Sequence, residues 1–374
     1  MNTQSRTVLQ LLPEMEVGGV EQGTLEIASA LVKAGHRALV VSGGGRLVPQ
    51  LEAAGARHVT LPIGRKRLSS LCMIRRLRAL MLEEAVDVVH ARSRLPAWIG
   101  QFALRGIEAP RRPRWVTTVH GPYTVNRYSR IMVSGERVIA ISEFIRDYIF
   151  RAYPDTPRER VVMIPRGVDG ERYAHGFQPS AQWLAQWRDE HPALIGQRVL
   201  CLPARLTRWK GQQDFIAMVG RLVRDGWPVH GLIVGGPHPR KREFEAELKA
   251  LAQSLGLENR ISFLGQRSDL REILASSELV YSLTHEPEAF GRTTMEALSL
   301  GRPVIGYDHG GTGEILREVF PIGLVVPGDI AAAAQKTVQL LAHCPPVPQT
   351  LSFTLARMQR ETLAVYAALS GPLE

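Results

Sequence analysis

Residues 282–314 read SLTHEPEAFGRTTMEALSLGRPVIGYDHGGTGE and hold two glutamates, Glu288 and Glu296. Each carboxylate can accept two hydrogen bonds, which is what the neighbouring hydroxyls of a ribose or hexose offer. A second constellation, Arg205 and Lys210 in ARLTRWKG, puts cations with Arg208 between them ahead of a predicted helix. Positive charge is disfavoured at a helix N-terminus, whose open amides attract anions. An anion held there, phosphate above all, resolves the conflict. His90 and His120 make a third set, each at the carboxyl end of a predicted strand, where open α/β sheets bind ligands.

These side chains need a scaffold, and apolar runs separated by helical stretches provide one. Strands are predicted over 7–12, 38–42, 58–63, 87–91, 115–120, 138–142 and 161–165, with helices such as 68–84 and 143–152 between them. Residues 168–197 lapse into a Gly-, Trp- and charge-rich passage that reads as a hinge. Strands then resume over 199–204, 231–235, 261–265, 279–283, 303–307 and 324–326, alternating with helices such as 212–224 and 244–254. Alternation of this kind implies βαβ units and parallel sheets. The expectation is an α/β protein of two doubly wound, Rossmann-like domains. The first covers 1–170 and the second 171–350, and a final helical segment, 351–374, returns to the first domain. Gly18-Gly19-Val20-Glu21 opens the first helix, but G-x-G-x-x-G spacing is absent, which argues against a dinucleotide fingerprint.

The totals fit that picture. At 374 residues there is room for two cores. Three separated cysteines, Cys72, Cys201 and Cys344, argue for a reducing compartment and against a disulfide framework or zinc site. No Asp-x-Asp or H-E-x-x-H occurs, so no metal ligand set and no cofactor are expected. The N-terminal apolar run is too short for a signal peptide or membrane span, which points to a cytoplasmic chain. The net charge of +10 lies entirely in residues 1–170, which hold 25 Lys and Arg against 15 Asp and Glu. That half therefore suits an anionic partner. Within it, Arg65-Lys66-Arg67 and Arg75-Arg76-x-Arg78 flank Leu71, Ile74, Leu77 and Met81 at helical spacing. This is either a core-facing helix with a basic rim or a segment lying on an acidic membrane. With 6% aromatics and no recognisable binding motif, nucleic acid is set aside as a partner.

PEAFGRTTMEALSLGRPVIG resembles the donor-site signature of glycosyltransferase family 4, the retaining sugar-nucleotide transferases of GT-B fold. That resemblance implies two domains facing a central cleft, the second holding a nucleoside diphosphate sugar, UDP-linked first. It further implies catalytic roles for His120, Arg205, Lys210 and Glu288. His120, in TVHG, would reach the transferred sugar, and Arg205 and Lys210 would hold the leaving diphosphate. Donor-binding roles fall to Gly18, Gly19, Gly235, Leu264, Phe290, Gly291, Arg292, Thr293 and Glu296. Arg292 stands where the family often carries an apolar residue, and Arg92 replaces the second histidine of a DVVHxH segment. Gly235-Gly236, Phe263-Leu264-Gly265 and Arg267-x-Asp269 match the nucleotide-base pocket in position. The N-terminal segments VVSGGG, TVHGPY and NRYSRIM resemble lipopolysaccharide core transferases. That narrower likeness implies an anionic glycan or glycolipid acceptor and a peripheral contact with the inner membrane. Rivals are a GT-B sugar-nucleotide epimerase, a non-catalytic nucleic-acid- or membrane-binding protein, and a dead scaffold, the last disfavoured by the intact Arg205, Lys210, Glu288 and Glu296.

Overall fold

The protein is described by a computed structural model covering residues 5–16, 18–65, 70–236, 243–349 and 352–369, with backbone alone at 70 and 71. It divides into two compact units, one of residues 1–167 and 355–374, the other of 168–354. In the first, strands β1 (Thr7–Leu11), β2 (Arg37–Ser42), β3 (Arg57–Thr60), β4 (Val88–Ala91), β5 (Arg114–Val119), β6 (Arg137–Ala140) and β7 (Val161–Met163) form one parallel sheet, in the order β3-β2-β1-β4-β5-β6-β7. Helices α1 (Gly19–Lys33), α2 (Val48–Ala53), α3 (Ser70–Glu83), α4 (Arg94–Arg105) and α5 (Glu143–Ala152) connect them. Every residue of β1 and β4 is buried, as befits strands covered on both faces. Ser142 caps α5, its hydroxyl accepting from the Ile145 amide at 3.1 Å.

The second unit carries α6 (Ala181–Glu190), β8 (Arg198–Pro203), α7 (Gln212–Arg224), β9 (Val229–Val234), α8 (Glu243–Ser254), β10 (Ile261–Gly265), α9 (Leu270–Ala275), β11 (Leu279–Ser282), α10 (Arg292–Ser299), β12 (Val304–Tyr307), α11 (Gly310–Val319), β13 (Leu324–Val325) and α12 (Ile330–Ala342). Its parallel sheet runs β10-β9-β8-β11-β12-β13. A last helix, α13 (Leu355–Leu369), belongs to the first unit. Its stripe Met358, Val365, Tyr366 and Leu369 joins Val8, Ile27, Leu31 and Val116 in one core.

Two boundaries differ from the sequence reading. The division falls at 167/168 and 354/355, because Val168 bridges Thr354 and its amide donates to the Phe353 carbonyl at 2.9 Å. Those two chain segments therefore travel together. The passage read as an irregular hinge holds α6, capped by the Ser180 hydroxyl accepting from the Trp183 amide at 3.2 Å. Its buried stripe is tryptophan rather than aliphatic, which hid it from an apolar-periodicity reading.

The basic segment of the first unit lies partly outside the described residues: Lys66, Arg67 and the Leu71 side chain. In α3, Leu77 and Met81 are buried and Arg75 and Arg76 exposed, so the helix faces the core with a basic rim. Arg78 is not free surface charge, since it donates to the α4 carbonyls of Ala103 (3.1 Å) and Phe102 (3.3 Å).

Candidate active site

In the second unit the strand order reverses between β8 and β11, and the crevice at their carboxyl ends is where open α/β sheets take ligands. Arg205 and Lys210 follow β8, and Glu288 follows β11. The His285 amide donates to the Trp209 carbonyl at 2.8 Å and joins the two loops. Lys210 Nζ is ion-paired with Glu288 Oε1, both side chains only 15% exposed, and lies 4.3 Å from the Trp209 ring centroid. Arg205 is exposed at the loop surface, while its carbonyl accepts from Gln212 Nε2 at 2.9 Å.

Three helices begin around this crevice, α7, α10 and α11, and none has a side-chain cap. The first N–H groups of α7 and α10 are open to an anion, while in α11 the Gly311 amide already donates to the Glu288 carbonyl at 2.8 Å. Gly211, the cap of α7, has φ +74°, and a Cβ there would lie 1.9 Å from the Leu283 carbonyl oxygen. Gly291, the cap of α10, has φ +94°, with Thr312 Oγ1 of α11 2.9 Å from a would-be Cβ. Both positions need glycine because the loop backbones are pressed together and left-handed. Phe290 is buried with its ring 5.9 Å from that of Phe353, so its side chain is spent on packing and only its backbone can meet a ligand. Thr293 is half-buried in the first turn of α10, and the neighbouring Thr294 hydroxyl is buried with no partner among the described residues.

Glu296 is 5% exposed. Arg292 Nε donates to its Oε1 at 2.9 Å and the Tyr173 hydroxyl also bonds it. Burial pushes its carboxyl pKa up, while Arg292 and Tyr173 pull the other way. Arg292 is thus the i,i+4 partner of Glu296. Tyr173, 123 residues earlier in the chain, carried no sequence signal for the role. Gly235 and Leu264 lie at the ends of β9 and β10, where the Gly235 amide donates to the Gly265 carbonyl at 2.8 Å. Arg267 and Asp269 are paired with each other at 2.7 Å.

In the first unit, Gly18 caps α1 and Gly19 begins it, its carbonyl accepting from the buried Arg166. His90 is fully buried. Its Nδ1 meets the Tyr366 hydroxyl at 2.7 Å and its Nε2 the Thr118 hydroxyl at 2.6 Å, so it fastens α13 to the sheet. Arg92, 3% exposed, donates to Gln10 Oε1 at 2.8 Å. His120 differs from His90, for its Nε2 is buried with no partner among the described residues. Burial, then Arg92 and Arg166, holds the His90 pKa well below the usual range, and burial, then Arg166, Arg92 and His90, does the same for His120. His120 is therefore a neutral hydrogen-bonding group. Among the described residues no group of three or more His, Cys, Asp or Glu could hold a metal ion, and no described helix is long and apolar enough to cross a membrane.

Two Rossmann-like units, one with a lysine–carboxylate pair amid helix starts without side-chain caps, give the architecture of GT-B glycosyltransferases. Residues 17–172 match the model for "Glycosyltransferase Family 4" and residues 185–352 that for "Glycosyl transferases group 1". The chain belongs to the family 4 glycosyltransferases. It is 30% identical to the D-rhamnosyltransferase WbpZ of Pseudomonas aeruginosa over 58% of this chain and 52% of that one. It is also 30% identical to the lipopolysaccharide core biosynthesis mannosyltransferase LpsB of Rhizobium meliloti, over 44% of each chain. The chain thus spans about half the length of these curated relatives. A glycosyltransferase from Rickettsia africae superposes with TM-score 0.87 at 27% identity, covering 98% of this chain and 99% of that one. Anabaena HepE, solved in complex with UDP and glucose, superposes with TM-score 0.80 at 22% identity over 96% and 99%.

Proposed function

We propose that the protein transfers a sugar from a nucleoside diphosphate sugar, UDP-linked first, to a hydroxyl of a glycan or glycolipid, with retention of anomeric configuration. The observation that carries this reading is the half-buried Lys210–Glu288 pair at the β8/β11 crevice, flanked by three helix starts without side-chain caps. A diphosphate entering the crevice takes Lys210 from Glu288 and gains Arg205 and the helix amides. Charge developing on the departing phosphate is then met by groups already in place, the commonest large source of rate. Glu288, released, is free to accept from sugar hydroxyls, and Glu296 with Arg292 orients the donor. No bound metal is needed in this scheme. The acceptor hydroxyl attacks from the face the diphosphate leaves, C–O bond to phosphate breaking as the new glycosidic bond forms, and its proton passes to the departing phosphate. His120 serves as a neutral hydrogen-bond group.

The acceptor we favour is an anionic glycolipid of the lipopolysaccharide core type, a reading supported by the names of similar transferases and by the basic first unit. The exposed Arg75 and Arg76 of α3 would hold that unit on an anionic membrane surface, each contributing about 1 kcal/mol. The test is a thermal melt with UDP, GDP and ADP: a ligand at 100 times its Kd adds about 2.7 kcal/mol of stability. No shift with any of the three at millimolar concentration overturns the donor assignment. Complete loss of activity in EDTA, rescued by Mn²⁺, overturns the metal-independent scheme.

A further inference from the structure

Helix α1 carries glycine at 19 and 23, one turn apart on the same face. Neither has a positive φ, so the backbone does not call for glycine there. A glycine inside a helix weakens it relative to alanine, and Gly23 therefore asks for a reason in packing. Arg166, 9% exposed, supplies it. A Cβ on Gly23 would lie 1.9 Å from Arg166 Nη1, 2.2 Å from Nη2 and 2.4 Å from Cζ. The guanidinium occupies the volume that any other side chain at 23 would fill.

Arg166 follows β7 and belongs to the same unit as α1. From its place over Gly23 its Nη2 donates to the Gly19 carbonyl, and its Nη1 lies 3.9 Å from Met358 Sδ of α13. A carbonyl oxygen has two lone pairs, so Gly19 can accept this bond and still serve the first turn of the helix. A charged donor makes it stronger than a neutral one. The glycines before it are of another kind. A Cβ on Gly18 would lie 2.3 Å from Glu21 Oε2, and one on Gly19 would meet nothing within 4 Å among the described residues. The turn is thus open at Gly19 while its carbonyl is held. The same guanidinium is the strongest charge acting on His120, so it bears on a second residue given a part in the reaction. We infer that Arg166 is a positioning residue for sugar transfer, holding the Gly18–Gly19 turn through the Gly19 carbonyl, and that position 23 is glycine in order to admit it. The role rests on the transferase reading above and on the donor contact expected of Gly18 and Gly19.

The experiment is isothermal titration of the full chain and its variants with UDP, GDP, ADP, UDP-glucose and GDP-mannose, alongside thermal melting. Arg166→Met keeps an apolar side chain against Met358 and removes every donor. It should raise the Kd of the ligands that the parent binds about tenfold, the scale of one lost hydrogen bond. Arg166→Lys returns one donor and should recover most of that loss, which packing alone would not require. Gly23→Ala should weaken binding as much as Arg166→Met, because its methyl displaces the guanidinium. In the double variant that methyl has room. Binding should then be no weaker than in Arg166→Met, and Tm should be higher, alanine being the better helix former. Parent-like affinity in Arg166→Met overturns the inference even if its Tm falls, since the residue then serves packing only. A double variant whose loss is the product of the two single losses overturns it as well. A parent that binds none of the five ligands overturns the donor assignment and this role with it, whereas a parent that binds them no better than Arg166→Met overturns this role alone.

Discussion

Replacing Lys210 by alanine separates two consequences that the structure ties to one contact. Lys210 and Glu288 are paired with side chains 15% exposed, so the lysine's loss leaves a carboxylate short of compensation in a largely dry crevice. Breaking a fully buried pair costs about 3–5 kcal/mol, and an exposed one contributes about 1 kcal/mol or less. A cost near 2 kcal/mol is therefore expected, or a fall in Tm of about 4–8 °C for a unit of this size. The same substitution removes a preorganised positive group from the departing diphosphate, which lowers kcat by about 10²–10³. Adding Glu288→Gln to Lys210→Ala removes the uncompensated charge, so Tm recovers while kcat does not. The assay pairs thermal melting with turnover of a UDP-sugar into its acceptor. Wild-type kcat in Lys210→Ala refutes the leaving-group role. A Tm that falls equally in the single and double variants refutes the ion-pair account of stability.

Tyr173→Phe deletes one of the partners of buried Glu296 and should raise the donor KM several-fold with a smaller change in kcat, since the helix starts are untouched; an unchanged KM removes Tyr173 from the donor site. Tyr366→Phe leaves a His90 nitrogen unsatisfied at a cost of about 1–3 kcal/mol; it should lower the melting temperature while the UDP-induced shift persists, and an unaltered melt contradicts the fastening of α13 by His90. The neutral states of His90 and His120 predict acid sensitivity. With folded pKa values below the unfolded 6.5, the unfolded chain binds more protons there, so stability is full above about pH 6.5 and falls as pH drops below it. The slope reaches about 1.4 kcal/mol per pH unit for each histidine; chemical denaturation between pH 7 and 5 checks this, and a flat profile contradicts it.

The residues that gather at the β8/β11 crevice are legible in position because they sit close to strand ends in the chain. Arg205, Lys210 and Glu288 each follow a strand by a few residues, so reading the strands is enough to place them, and Glu296 is placed by the helix that follows the same loop. What could not be read depends on contacts between distant segments. Nothing in Asp87-Val88-Val89-His90 tells that His90 meets Tyr366, 276 residues away, and will serve packing. The same holds for Tyr173 on Glu296. Arg292 read as a departure from pattern, and the structure gives it a local function as the helical partner of Glu296. Phe290, read as a ligand contact, is occupied by Phe353. Helix α6 carries two tryptophans and a serine cap in place of an aliphatic stripe, so apolar periodicity does not reveal it. His120 is the intermediate case: its strand-end position marks it, but only the structure shows the burial and the neighbouring Arg166, Arg92 and His90 that push its pKa down.

The most direct test of the transferase reading is to incubate the purified chain with UDP-glucose, UDP-galactose or UDP-N-acetylglucosamine and lipid or oligosaccharide extracts. Released UDP and the mass and anomeric configuration of the product are then measured together. The expected result is one sugar added per UDP released, α-linked from an α-linked donor, and only when acceptor is present. Free or epimerised sugar formed without acceptor, or a product of inverted configuration, would contradict it.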